Sequence, residues 1–471
     1  MVEPVLSVRS LEVTFAGSGR PALAVRGVSF DVHPNEVLGI VGESGSGKSV
    51  TALAIAGLSS DAAQIKGQIR LGGLDVTNAD AETLRRMRGR DVGVIFQDPT
   101  TTLNPVLPIG RQVIEGQVEH GRVAPSQARA RAAELLRDVD IPDPSGRIDQ
   151  YPHQFSGGMR QRVVIAMAMA GQPQLIIADE PTTALDVTVQ AQVLSVLAKR
   201  QAETGAAVIL ITHDLGVVAE IADRIAVMYG GRIVETGTVE DIFKRPRHPY
   251  TIALLQSAPR IDGDDGRLDA IPGQPPVPTQ LPAGCAFHPR CAISRDRMRC
   301  RTDDPLLRAL SPTQNAACHF AEEVAPREAS QRARTSATPK STAEPTTQTP
   351  LLVVERLQVH FPITSGLLKR RVGWVRAVND VSFSLRAGET LGLVGESGCG
   401  KTTTGRAIMG LIAPTGGDVR FDDRSIIGLG GGALRGVRRH MQYVFQDPYS
   451  SLNPVLPVSD IIAEPMRIHG L

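Results

Sequence analysis

GESGSGKS, Gly42 to Ser49, follows the apolar run VLGIV and opens the helix-forming segment KSVTALAIAGL. It fits the pattern G-x-x-x-x-G-K-[ST], and a strand before it with a helix after it is the context that this pattern requires. Glycines permit backbone angles that turn successive N–H groups inward, and the helix N-terminus adds about half a positive charge where a polyphosphate would lie. Lys48 can then reach the outer phosphates, and the Ser49 hydroxyl can ligate Mg²⁺. The loop alone says only that a nucleotide phosphate binds here. Its class must come from the residues around it.

Working outward, the same stretch recurs as GESGCGKT, Gly395 to Thr402. LLVVERLQVHF after residue 350 resembles VLSVRSLEVTF at Val5, and VFQDPYSSLNPVLP from Val444 nearly repeats IFQDPTTTLNPVLP from Ile95. The chain thus reads as one domain followed by the front part of a second. Short apolar runs such as VLGIVG, QLIIAD and AAVILIT alternate with helix-like segments, the pattern of a parallel sheet covered by helices. The expected organisation is an α/β nucleotide-binding domain over 1–260, a cysteine-containing segment over 261–320, a linker over 321–350 and an incomplete repeat over 351–471. The linker assignment rests on AEEVAPREASQRARTSATPKSTAEPTTQTP, which has almost no large apolar residue to offset its ordering entropy.

Composition narrows the class. At 471 residues the chain is too long for one core, and 42% hydrophobic and 21% charged residues with a net charge of +2 describe an ordinary soluble balance. Nothing in that balance calls for a nucleic-acid partner. No apolar run approaches the roughly 20 residues of a spanning helix, and MVEPVLSVRS lacks the basic and apolar regions of a secretory signal. The expected compartment is the cytosol, with thiols kept reduced.

FSGGMRQRVVIAMAMA from Phe155, LIIADEPTTALD from Leu175 and LITHD from Leu210 complete the pattern around the loop. With these the chain resembles the ATP-binding cassette ATPases, whose fold is a parallel-sheet P-loop core with a helical subdomain. The resemblance implies that ATP is held by Phe15 at the adenine and by Gly42, Glu43, Ser44, Gly45, Ser46, Gly47, Lys48, Ser49 and Val50 at the phosphates. It implies that Ser49, Gln97 and Asp179 serve Mg²⁺, that Glu180 polarises the attacking water, and that Lys48, Gln97 and His213 join it in catalysis. Ser156, Gly157 and Gly158 would form a signature loop facing the nucleotide of an opposite cassette, with Asp186 at the same interface. Met159 stands where Gln is more usual, as it often does in the importers considered next. These roles suit phosphoryl transfer, which needs positioning and charge neutralisation more than covalent chemistry.

FQDPTTTLNP, the HPYT of His248 to Thr251, and PGQPPVP followed by GCAFHPRC resemble the ATPase subunits of oligopeptide, dipeptide, nickel and glutathione importers. That group implies two transmembrane permease subunits, a solute-binding protein and a peripheral place on the cytoplasmic face of the inner membrane. A soluble tandem cassette ATPase, or an inactive remnant, is the competing reading. The former would be expected to carry a basic helical connector, whereas this linker is mixed in charge and rich in Ser, Thr and Pro.

The second copy has Phe361, the loop Gly395, Glu396, Ser397, Gly398, Cys399, Gly400, Lys401 and Thr402, and Gln446, but no signature, Asp-Glu strand or switch histidine. The front cassette would therefore need a second cassette in trans or from residues beyond 471. The resemblance also implies an Asp-Glu strand beside the phosphate-loop strand, whose lack would leave an open apolar edge. Cys285, Cys291, Cys300 and Cys318 cluster with spacing C-x5-C-x8-C-x17-C. In a reducing compartment four thiolates suit zinc or an iron–sulfur cluster better than disulfides, and the resemblance implies a [4Fe-4S] cluster. His288 and His319 are alternative ligands, and four ordinary buried thiols are the bland reading.

Overall fold

The computed structural model describes residues 3–16, 20–183, 185–257, 270–294, 297–324, 349–365, 370–446 and 451–470. Most of the expected linker lies outside them. The chain divides into two compact units, Met1–Ala333 and Arg334–Leu471.

In the first unit VLGIV, LIIAD and AVILIT form the strands Val37–Val41, Leu175–Asp179 and Ala207–Thr212 of an eight-stranded sheet. Val92–Ile95, Leu175–Asp179, Ala207–Thr212, Val37–Val41 and Arg224–Tyr229 run parallel in that order. Arg232–Thr238 then continues the sheet antiparallel, followed by the short strands Asn315–Ala316 and Arg308–Ala309. Buried on both faces, the parallel strands read as unbroken apolar runs rather than alternating ones.

Their side chains nonetheless alternate between two cores. Leu38, Ile40, Leu175, Ile177, Ile209 and Ile211 meet the four-stranded antiparallel sheet through Leu6, Val8, Leu11 and Val13, and the helix Lys48–Ile55 through Ile55. Val37, Val41, Ile176, Ala178, Val208 and Leu210 face the opposite core. That core receives Ile109 and Val113, Leu135 and Leu136, and Val164 and Ile165 from the helices Ile109–Glu119, Ala128–Asp138 and Gly157–Met169. Each fully buried Leu or Ile is worth about 1.5–3 kcal/mol, so the two faces together fix the strands' register.

One expectation is corrected. The Asp-Glu strand does not lie beside the phosphate-loop strand, because Ala207–Thr212 pairs with both and separates them. Chain order does not give spatial order, and this middle strand is equally apolar along its whole length.

The second unit has a four-stranded antiparallel sheet in the order Arg370–Leu385, Leu352–Ser365, Gly416–Phe421, Arg424–Ser425, with the helix Lys401–Ile408. Its core is small, built on Val354, Leu357, Val359, Val378 and Val419. LGLV, the counterpart of the first loop's strand, is not a strand here, and Leu391, Leu393 and Val394 are exposed. None of the described residues pairs with it. An apolar run becomes a parallel strand only when neighbours complete its hydrogen bonds.

Glu235, fully buried in the first unit, ties the sheet to the segment after it. It accepts from the backbone N–H groups of Arg247 (2.6 Å) and His248 (2.9 Å) and from Gln314 Nε2 (3.0 Å). Burial pushes its carboxyl up to about 7, against hydrogen bonds from Thr251, Arg247, His248 and Gln314 that favour the charged form. Between the ordinary carboxyl value of about 4.3 and that raised value, the folded chain keeps a proton that the unfolded chain has released. This group's contribution to stability is therefore present at low pH and falls as pH rises through the window. Glu235→Gln, neutral throughout, should gain in Tm relative to the wild type as pH is raised from about 5 to about 8. A Tm difference that is flat across that range would contradict the assignment.

Candidate functional site

The carboxyl ends of the parallel strands converge, which is where open α/β sheets hold ligands. Val41 is paired with Thr212, Asp179 with Ile211, and Ile95 with Ala178, so Gly42, His213, Glu180 and Gln97 all emerge at one edge. The parallel register alone brings these four segments together.

In the phosphate loop, Gly47 caps the helix Lys48–Ile55 with φ 100°. A Cβ there would stand 2.6 Å from the Ala24 carbonyl oxygen, and one on Gly42 would stand 2.2 Å from that of Met228. Neither position tolerates a side chain. Lys48 is buried, its Nζ donating to the carbonyls of Gly42 (2.8 Å) and Glu43 (2.9 Å). Burial lowers its pKa, opposed by the nearby charges of Glu180, Asp179 and Glu43. An ammonium held by carbonyls in so acidic a surrounding is a ready partner for an incoming anion.

Asp179 ends its strand half out of the core. Burial raises its pKa, while a hydrogen bond from Ser49 acts against that rise. Its Oδ1 is buried without a hydrogen-bond partner among the described residues. An orphaned carboxylate oxygen beside a serine hydroxyl is a costly arrangement for a stable interior, and it is the oxygen-donor set that Mg²⁺ takes. The residues present therefore fit the metal that the loop pattern implies.

Glu180 sits in the left-handed region at φ 49°, uncommon for a residue with a side chain. Its N–H donates to the Ile211 carbonyl (2.8 Å), which fixes the turn. The carboxylate is gripped by Gln97 Nε2 (2.8 Å), Thr183 Oγ1 (2.8 Å) and His213 Nδ1 (3.1 Å). Burial would raise its pKa, but the hydrogen bonds of Thr183 and His213 and the charges around it bring it below the usual value. A carboxylate kept ionised next to Asp179 can orient a water and take its proton.

Gln97, Lys48, Ser49, Asp179, Glu180 and His213 are thus brought together. Phe15 ends the strand Leu6–Phe15, partly buried against the core that the parallel strands share with the antiparallel sheet. Ser156 stands exposed and caps the helix Gly157–Met169 by accepting from the Met159 N–H (3.3 Å). Gly158 packs so closely on the next helix that a Cβ would stand 2.2 Å from Val189 Cγ1, and Asp186 caps that helix, Val187–Thr204. The second loop repeats the first: Lys401 Nζ donates to the carbonyls of Gly395 (2.6 Å) and Glu396 (2.7 Å).

Sequence reasoning missed Thr183, Tyr250 and Arg290. Thr183 lies inside the quoted DEPTTALD, and its three-residue offset from Glu180 was a usable signal. Tyr250 and Arg290 lie in the HPYT and HPRC stretches that served only for recognition. Their hydroxyl and guanidinium both reach the phosphate loop.

Cys285, Cys291, Cys300 and Cys318 line one small cavity, together with Phe287, His288 and His319. All are free thiols, and burial raises each, Cys285 to about 12 and Cys318 to about 11. His288 Nδ1 and His319 Nε2 are engaged with the carbonyls of Cys285 and Asp303. Among the described residues no group of three or more His, Cys, Asp or Glu side chains is set to hold a metal ion.

The ABC transporter family profile matches residues 25–183 and 378–466. A second profile, described as the C-terminal region of oligopeptide/dipeptide transporters, matches residues 234–300. The oligopeptide transport ATP-binding protein OppD of Mycobacterium tuberculosis is 46% identical over 474 residues, covering 100% of this chain and 77% of its own. The glutathione import ATP-binding protein GsiA of Escherichia coli K12 is 42% identical over 474 residues, covering 99% and 68%. Among solved structures, a dimeric bacterial ABC transporter cassette aligns at TM-score 0.46 and 28% identity over 50% of this chain and 98% of its own.

Proposed function

The chain belongs to the ABC transporter family, in its oligopeptide, dipeptide and glutathione importer group, and on that premise we propose that it is the ATP-hydrolysing subunit that energises such an importer. One observation carries the reading most directly: an Asp179 oxygen without a partner among the described residues, Ser49, Lys48 and a firmly held Glu180 share one edge of the sheet.

In this reading Lys48 and the loop N–H groups bind the phosphates, Ser49 and Asp179 hold Mg²⁺, and Phe15 meets the adenine. The metal neutralises phosphate charge when bound. Glu180 orients a water and accepts its proton, His213 fixes the carboxylate, and Gln97 links it to the strand edge. Ser156, Gly157 and Gly158 are presented to the nucleotide of an opposite cassette. The division into a cassette over 1–260, a C-terminal segment over 261–320, a linker over 321–350 and part of a second cassette over 351–471 is proposed with it.

Partners of this kind are two permease subunits and a solute-binding protein. A peripheral position at the inner membrane's cytoplasmic face, held through those permeases, is part of the same proposal; none of the described helices is long and apolar enough to cross a membrane. Replacing the gene with a Lys48→Ala version should abolish uptake of labelled oligopeptide or glutathione, because the phosphates lose their invading cation. Uptake of both at the wild-type rate would overturn the assignment.

The [4Fe-4S] reading of the cysteines, with zinc as its alternative, enters as a proposal only. Four thiols lining one cavity support it, and the lack of a metal-ready set among the described residues weighs against it. Protein purified without oxygen should then contain iron and acid-labile sulfide that Cys291→Ser removes. Stoichiometric zinc would favour the alternative, and neither metal would leave four buried thiols.

A further inference from the structure

We propose that the phosphate loop is clamped from outside by Tyr250, on the last helix of the cassette (Pro249–Ser257), and by Arg290, in the segment that follows, as positioning residues that act through Glu43. Glu43 is the second residue of GESGSGKS and is held on every side. Its N–H donates to the Tyr250 hydroxyl (2.7 Å). Its carbonyl accepts from Lys48 Nζ (2.9 Å) and from the Ser46 N–H (3.2 Å). Its carboxylate takes the Arg290 guanidinium as a fork, Nη1 to Oε2 at 2.6 Å and Nη2 to Oε1 at 2.9 Å.

The clamp is itself rigid. The Arg290 side chain is only 5% exposed, its Nε donates to the Pro272 carbonyl (2.8 Å) and its Nη1 to the Tyr229 hydroxyl (3.2 Å). Tyr229, Tyr250 and Phe287 pack ring against ring at 4.5–5.4 Å between centroids. A planar fork on a carboxylate fixes direction as well as distance, which lysine cannot do. Glu43 therefore sets where the loop's turn begins, and Lys48 rests on its carbonyl.

The second loop serves as an internal control. It follows the same backbone path, with Gly395, Gly398 and Gly400 in the positive-φ region and Lys401 on the corresponding carbonyls. Among the described residues Glu396, the counterpart of Glu43, has no ion pair. What Arg290 and Tyr250 add to the first loop is its placement relative to the rest of the site. The expected effect is on nucleotide affinity rather than on folding.

This inference rests on the ATP-binding reading above. The test is the ATP dissociation constant of the full chain in Mg²⁺, measured by calorimetry in a Lys401→Ala background so that only the first loop reports. Glu43→Gln and Arg290→Gln should each weaken ATP about tenfold, and the double variant no more than the worse single one, since either change already removes the fork. Arg290→Lys should recover part of the loss, and Tyr250→Phe should cost several-fold. Separate structural roles would instead multiply in the double variant, and that result, or affinities within about twofold of the parent, would overturn the proposal. If Arg290→Gln does not fold, Glu43→Gln and Tyr250→Phe decide the matter by the same limits. A parent that binds no ATP, with Lys48→Ala indistinguishable from it, would overturn the nucleotide reading and this inference with it.

Discussion

Everything at the candidate site depends on the parallel pairing of Val37–Val41 with Ala207–Thr212 and of Ala207–Thr212 with Leu175–Asp179. Because Val41 pairs with Thr212 and Ile211 with Asp179, the strands end within one residue of each other, and the residues after their ends emerge at the same edge. A slip of one residue would turn every side chain of a strand to the opposite core. Here that would exchange Leu38 and Ile40 for Val37 and Val41, and both cores would lose their fit. The apolar packing that looks remote from the chemistry is what aligns Lys48, Asp179, Glu180 and His213.

The aligned residues are held against their preferences. Lys48 is buried, Asp179 keeps a buried oxygen without a partner among the described residues, and Glu180 occupies a left-handed backbone. Each costs on the order of 1–3 kcal/mol, and the cost is borne by the surrounding sheet. On the proposed assignment, metal-bound nucleotide would answer two of these demands together, by bringing anions to Lys48 and a cation to Asp179.

Legibility from sequence followed the distance over which each feature is encoded. The phosphate loop, the Asp179–Glu180 pair and the Ser156–Gly158 stretch are short-range patterns that the sequence displays directly. The order of the strands was not, since three equally apolar runs carry no mark of which lies in the middle. Nor was the contact between Glu43 and Arg290, which joins residues 247 apart. The second copy makes the same point from the other side. LGLV reads as a strand like VLGIV, yet without paired neighbours among the described residues it is not one. Local sequence proposes the element, and tertiary pairing decides whether it forms.

The central claim is that Glu180 turns over nucleotide that the rest of the site merely binds. Glu180→Gln separates the two, because the amide keeps the shape and an acceptor for Thr183 but cannot take a proton. The decisive measurement compares ATP affinity with phosphate release from bound ATP in a single turnover, on the full chain. The account requires affinity within about twofold of wild type and release slowed by about 100-fold or more. Release at the wild-type rate from the glutamine variant would contradict it.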